Sequence, residues 1–150
     1  MEAKKHKTCR GCKLKNKCVK QGVYFNERCH FYTGKTKTLT KQLDELWTEI
    51  IRSRSRNFED QICCERCGST EVVQAHHIIP RTKYGTRWVL GNGVALCRRC
   101  HLYWAHKDSI EFTEWIMKKR DLRELELSRN NKPDKGMMLI YLENEIEKYK

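Results

Sequence analysis

Apolar positions follow a helical period over 39–56 and again toward the C-terminus, with short strand-like runs between. Leu39, Leu43, Leu46, Trp47, Ile50 and Ile51 fall on one helical face. They predict an amphipathic helix capped by Thr38 or Thr40 and running to about Arg56. Arg52, Arg54 and Arg56 fan around its end at every second position. Val72, Val73, Ile78 and Ile79 flank two histidines in a stretch, 71–79, with strand character. Pro80, Gly85 and Gly91 make 80–91 a loop, and Val94, Ala95 and Leu96 give a second short strand. From about Arg98 the pattern is helical again. Ser109 can cap a helix through about Lys119, with Ile110, Phe112, Trp115 and Ile116 as its core side. Residues 121–128 read as a short continuation, and Asn130-Asn131-Lys132-Pro133 breaks the chain. Gly136 then precedes a last helix carrying Met137, Leu139, Ile140, Leu142 and Ile146. This order predicts an α+β fold whose C-terminal helices brace the core or mediate association.

Composition narrows the class. The 150 residues are 39% hydrophobic and 33% charged, so a large core is not expected and metal sites should supply part of the stability. No apolar run approaches the roughly 20 residues of a membrane span, and the basic N-terminus lacks the apolar segment of a signal peptide. The net charge of +12 is uneven. Residues 1–41 carry 12 Lys/Arg and 2 acids, 42–106 carry 9 and 7, and 107–150 carry 10 and 10, giving +10, +2 and zero. A basic arm of this kind suits a polyanion, with nucleic acid the foremost candidate.

The nine cysteines add chemistry. Their odd number, three Cys-x2-Cys pairs and the lack of an export signal favour reduced, metal-bound thiols in a cytoplasmic setting. Cys64, Cys67, Cys97 and Cys100 make two pairs that can hold one structural Zn2+. Cys9, Cys12, Cys18 and Cys29 suggest a second zinc site, a small knuckle with His6 and His30 as substitutes. Around it Lys13, Lys15 and Lys17 would face DNA phosphates. Cys63 is left over. The chain then divides into a basic zinc-knuckle module (1–36), an amphipathic helix and linker (37–60), a metal-bearing core (61–107) and C-terminal helices (108–150).

Between the paired cysteines stand the segments AHHIIPR, GNGVALC and CRRCH. Over roughly Cys64 to His106 the chain resembles the HNH family of ββα-metal endonucleases. The resemblance implies a small ββα core and metal-dependent hydrolysis of DNA phosphodiester bonds. It implies His77 as general base, His76 and His101 as ligands of a catalytic Mg2+ or Mn2+, and Asn92 as a residue that fixes the loop or orients His77. The family's further metal histidine usually comes four residues after the His101 position, where this chain has Ala105. His106 comes one residue late, about 100° round a regular helix, and is out of phase as a third ligand. Adjacent strand residues face opposite ways, so the strand is expected to end or bulge at His76-His77. Arg81, Lys83 and Arg87 are expected to grip phosphates beside the cut.

A helix ending Glu49-Ile50-Ile51-Arg52-Ser53-Arg54 before Cys-x2-Cys-Gly also resembles phage recombination nucleases, which implies a phage or prophage source and branched DNA as substrate. The competing expectations are a non-catalytic, zinc-dependent nucleic-acid-binding protein and a purely structural zinc protein. One active site cuts one strand per event, so double-strand cutting would need a dimer or a second binding event.

Overall fold

The computed structural model describes residues 38–149. The expected second zinc site (Cys9, Cys12, Cys18, Cys29) and Lys13, Lys15 and Lys17 lie outside these residues. The elements are α1 (Leu39–Ser53), β1 (Val73–His77), a 3-10 turn (Leu90–Asn92), β2 (Gly93–Cys97), α2 (Arg98–Cys100), a π-helical segment π1 (His101–Ala105), α3 (Ser109–Met117), α4 (Arg123–Ser128), α5 (Lys135–Ile146) and a closing 3-10 turn (Glu147–Tyr149). The fold is α+β, a small ββα core among helices.

The two strands pair antiparallel, with Val73 opposite Cys97 and His77 opposite Gly93. Strand alternation sorts their side chains between two faces. Val73, Ala75 and Ala95 join one core cluster, with Leu43, Trp47, Ile50 and Ile51 of α1 and Leu142 and Ile146 of α5. Val94 and Leu96 join another, with Trp104 of π1 and Phe112 and Ile116 of α3. The sheet is therefore a thin partition between two small cores. The apolar face of α1 is buried against it from Leu43 onward, with Leu43, Trp47, Ile50 and Ile51 at most 1% exposed.

Gly93 makes the closeness of α1 to the sheet feasible. A Cβ there would lie 2.3 Å from Cδ1 of Ile51 and 2.8 Å from Cζ2 of Trp47. Any side chain would push α1 off the sheet, and with it the indole that packs on His77. The lost packing would follow from overfilling a site that has no room to relax.

Several boundaries differ from the sequence expectation. The first helix stops at Ser53, and just beyond it Arg54 turns inward and donates to the carbonyls of Leu90, at 2.7 Å, and Gly93. The N-cap of α3 is Asp108, whose side chain accepts from the Glu111 amide at 3.0 Å, and Ser109 is the first helical residue. Asp134 likewise caps α5 ahead of Gly136. Ile110, Met137 and Ile140 are exposed, not core. A carboxylate at Glu65 ties these parts together. It accepts from the Ala95 amide at 2.9 Å and from Arg120 at 2.7 Å, joining the first cysteine pair to β2 and to the chain after α3.

Candidate active site and metal centres

The thiol cluster begins with a tight knuckle. The Cys64 carbonyl accepts from the Gly68 amide at 2.9 Å, and Gly68 has φ +74°, a conformation glycine adopts without steric cost. The second pair opens α2, where the Cys97 sulfur accepts from the Cys100 amide. Ligand atoms of Cys64, Cys67, Cys97 and Cys100 all lie within 4.8 Å of one another. Cys67 Sγ is 3.7 Å from that of Cys97 and 3.6 Å from that of Cys100. Tetrahedral zinc with thiolates at about 2.3 Å sets sulfurs roughly 3.8 Å apart, so the cluster fits a metal such as zinc. Burial and the neighbouring thiols push the Cys100 thiol up to about 12. Thiolates packed this closely require a cation's field to ionise together.

Directly beyond Cys100, the chain enters π1. Here the sequence expectation for His106 is corrected. A turn that closes at the fifth residue rather than the fourth is one residue longer, so the side chain five positions after His101 returns to its face. His76, His101 and His106 have ligand atoms within 4.8 Å of one another, and the Nε2 atoms of His101 and His106 are 3.2 Å apart. Gln74 fixes the tautomer. The Nδ1–H of His101 donates to Gln74 Oε1 at 2.6 Å, which leaves Nε2 bare toward the cluster. Gln74 and His76 alternate onto the same sheet face, so β1 supplies both a cluster member and its support. Burial, followed by the neighbouring His101, His106 and His77, drives His76 down to about 3. Burial and His106 lower His101 as well. Three neutral imidazoles converging on one point form a donor set for a divalent cation.

His77 serves the opposite face. Its ring stacks on Trp47 with centroids 3.8 Å apart and planes 14° from parallel. The Arg87 carbonyl lies 2.9 Å from Nε2, and a carbonyl only accepts, so Nε2 carries the proton and Nδ1 is the free base. Burial depresses its basicity, and the bond to the Arg87 carbonyl offsets part of that loss. Of the two expected arrangements, an end or a bulge at the doubled histidine, the strand takes the first and keeps its register. It ends at His77, and ordinary alternation gives the two rings their separate surroundings.

The loop that presents the Arg87 carbonyl is held from both ends. Asn92, fully buried, accepts from the Ile79 amide at 2.7 Å and donates to the carbonyls of Ile79 at 2.9 Å and Thr86 at 3.0 Å. It thus pins the loop and makes no direct bond to His77. On the other side Asp44 of α1 takes Arg87 Nε at 2.9 Å, Arg87 Nη2 at 2.6 Å and Trp88 Nε1 at 2.8 Å. Arg87 is consequently not the free phosphate contact expected from its loop position: its side chain is 14% exposed and bound bidentately. Arg81 is exposed and Lys83 half-buried on the same loop. Trp88 is buried and Tyr84 is 47% exposed.

Asp44 and Gln74 escaped the sequence analysis. Asp44 sits on the polar side of an amphipathic helix, and its partners are 43 and 44 residues away. Gln74 could have been marked by its two-residue spacing from His76, had the strand been taken as regular. The lengthened turn of π1 leaves no signal in residue spacing.

Residues 64–103 match the family model described as HNH endonuclease. No curated protein and no solved structure matches the chain. Among the described residues no helix is long and apolar enough to cross a membrane. The match spans both cysteine pairs, His76, His77, Asn92 and His101 and stops three residues short of His106, so the third imidazole rests on geometry alone. With its four-thiol cluster and ββα arrangement, segment 64–103 is similar to HNH endonuclease domains.

Proposed function

We propose that the chain is a metal-dependent endonuclease that hydrolyses DNA phosphodiester bonds, with His77 as general base. The observation that carries this is the tautomer of His77: Nε2–H is committed to the Arg87 carbonyl, leaving Nδ1 to accept a proton one residue along the chain from His76 of the three-imidazole cluster. Pure binding or scaffolding has no use for a base oriented in this way.

In this account His77 Nδ1 withdraws the proton of the attacking water. Asn92 and Asp44 hold the loop so that the ring cannot rotate away, and Trp47 fixes its plane. Arg81 neutralises a phosphate flanking the cut, and Lys83, on the same loop, one farther from it. His76, His101 and His106 would hold one divalent cation, which when bound polarises the scissile phosphate and stabilises the leaving 3′-oxygen. Cys64, Cys67, Cys97 and Cys100 hold Zn2+ and anchor the start of α2, from which the chain leads into His101. The 1–36 arm adds a second zinc-stabilised, phosphate-binding module, and branched recombination DNA is the favoured substrate form.

All three donors in the catalytic set are nitrogens, a poorer match for Mg2+, which prefers oxygen, than for Mn2+. Zinc-loaded protein should therefore cleave faster with Mn2+ than with Mg2+, and the branched-substrate reading separately predicts a four-way junction cut faster than linear duplex of the same sequence. Failure to cut supercoiled, linear, nicked or branched DNA with either ion, in folded protein retaining its zinc, would refute the nuclease assignment and leave the zinc-dependent binding module. Equal rates on all substrates would remove the preference for branched DNA alone.

A further inference from the structure

We infer that the segment after α4 forms one wall of a groove that binds the phosphate backbone of DNA outside the catalytic centre. The inference rests on the nuclease account for its substrate class and assigns binding to a tail in which the sequence showed none. The groove is about 540 Å³ and is lined by Lys83 and Tyr84 on the loop side and by Arg129, Lys132 and Lys135 on the tail side, among others, with no acidic residue. A second groove, about 650 Å³, provides the contrast: Lys41, Arg52 and Arg56 face Asp44, Glu45 and Glu49, so its charges balance. Size does not distinguish the two; sign does.

The two walls meet backbone to backbone. A Cβ on Gly85 would lie 1.8 Å from the Ser128 carbonyl oxygen and 2.9 Å from the Asn131 amide nitrogen, so only glycine lets the loop and tail close up. Lys135 spans them, donating to Thr40 Oγ1 at 2.9 Å with its ammonium 5.9 Å from the ring centres of both Tyr84 and Trp88. The nearby acids have other tasks. Glu126 pairs with Arg129 at 2.7 Å, and Asp134 caps α5. Lys83 and Lys132 have no ion pair among the described residues. The half-exposed Tyr84 ring beside them can pack on a sugar or base. The inner wall belongs to the same loop whose Arg87 carbonyl holds His77.

Ammonium groups that contact phosphate release counterions, and each contact adds about 0.9 to the salt dependence of binding. The test is fluorescence anisotropy on duplex DNA across a salt series, using full-length zinc-loaded protein without added divalent cation, so that no cleavage is needed. Lys132→Ala should weaken binding and lower the log–log salt slope by about one, and Lys83→Ala/Lys132→Ala by about two. Lys118→Ala, which removes an exposed charge outside the groove, should leave the slope unchanged. Unaltered slopes in the groove variants would overturn the inference, as would an equal loss in Lys118→Ala, which would mean diffuse attraction. Slopes that fall as expected in a protein that cuts no DNA would leave the groove standing while the nuclease account fell.

Discussion

At Asp44 a single carboxylate receives three donors, two from Arg87 and one from Trp88, and so determines where the Arg87 carbonyl meets His77. Burial pushes its pKa up, but the bonds from Arg87 and Trp88 and the Arg87 charge outweigh it, and the net shift is downward. A carboxyl depressed on folding stabilises the native state above its unfolded pKa, and that stabilisation is lost as pH falls through the lower folded value. Asp44→Asn, by loss of the charged acceptor, should cost on the order of 1–2 kcal/mol at neutral pH, at the lower end because solvent screens a carboxylate a third exposed. Denaturant titrations should show its difference from wild type shrinking below about pH 4. A constant gap down to pH 3 would contradict the assignment. None of this was legible from position 44, since a polar residue on the outer face of an amphipathic helix looks solvated until its partners arrive from the loop. The cysteine pairs and the doubled histidine were legible because their meaning is local: spacing alone places two thiols on one turn.

Among the elements, π1 most alters the site. Regular α-helical phase puts Ala105, not His106, beside His101, and that arithmetic separated His106 from the cluster. The chain instead spends one extra residue in the turn, burying Trp104 and Ala105 and returning His106 to the histidine face. Such lengthened turns recur at functional sites, and none is visible in hydrophobic periodicity because one residue of slip is within its ordinary scatter. Titration calorimetry with Mn2+ on protein whose thiol site is already filled should show His106→Ala weakening binding at least roughly tenfold. Ala105→His/His106→Ala should not restore it, because position 105 is 6% exposed and faces the core. Full recovery in the double variant would show that the turn is regular and the original phase argument sound. The strands illustrate the opposite case. The strand ends at His77, one of the two arrangements expected, and needs no bulge, since plain alternation sends His76 to the metal-facing side and His77 onto Trp47.

For the molecule as a whole, a two-stranded sheet too small to stand alone is sandwiched between α1 with α5 and π1 with α3, each core holding one of the two histidine environments. The amphipathic helices, the two strands and their order were readable from periodicity. Their assembly was not, because it depends on Gly93 admitting α1 and on Glu65 linking segments 30 and 55 residues apart. The central claim is that this partition presents an oriented base and a cation site to one phosphodiester. Its most direct test is the single-turnover rate of DNA cleavage by zinc-loaded protein with Mn2+, comparing wild type with His77→Ala. The account predicts that His77→Ala retains fold, zinc and DNA affinity yet loses roughly 10²–10⁴-fold in rate. Cleavage at the wild-type rate by that variant would contradict it.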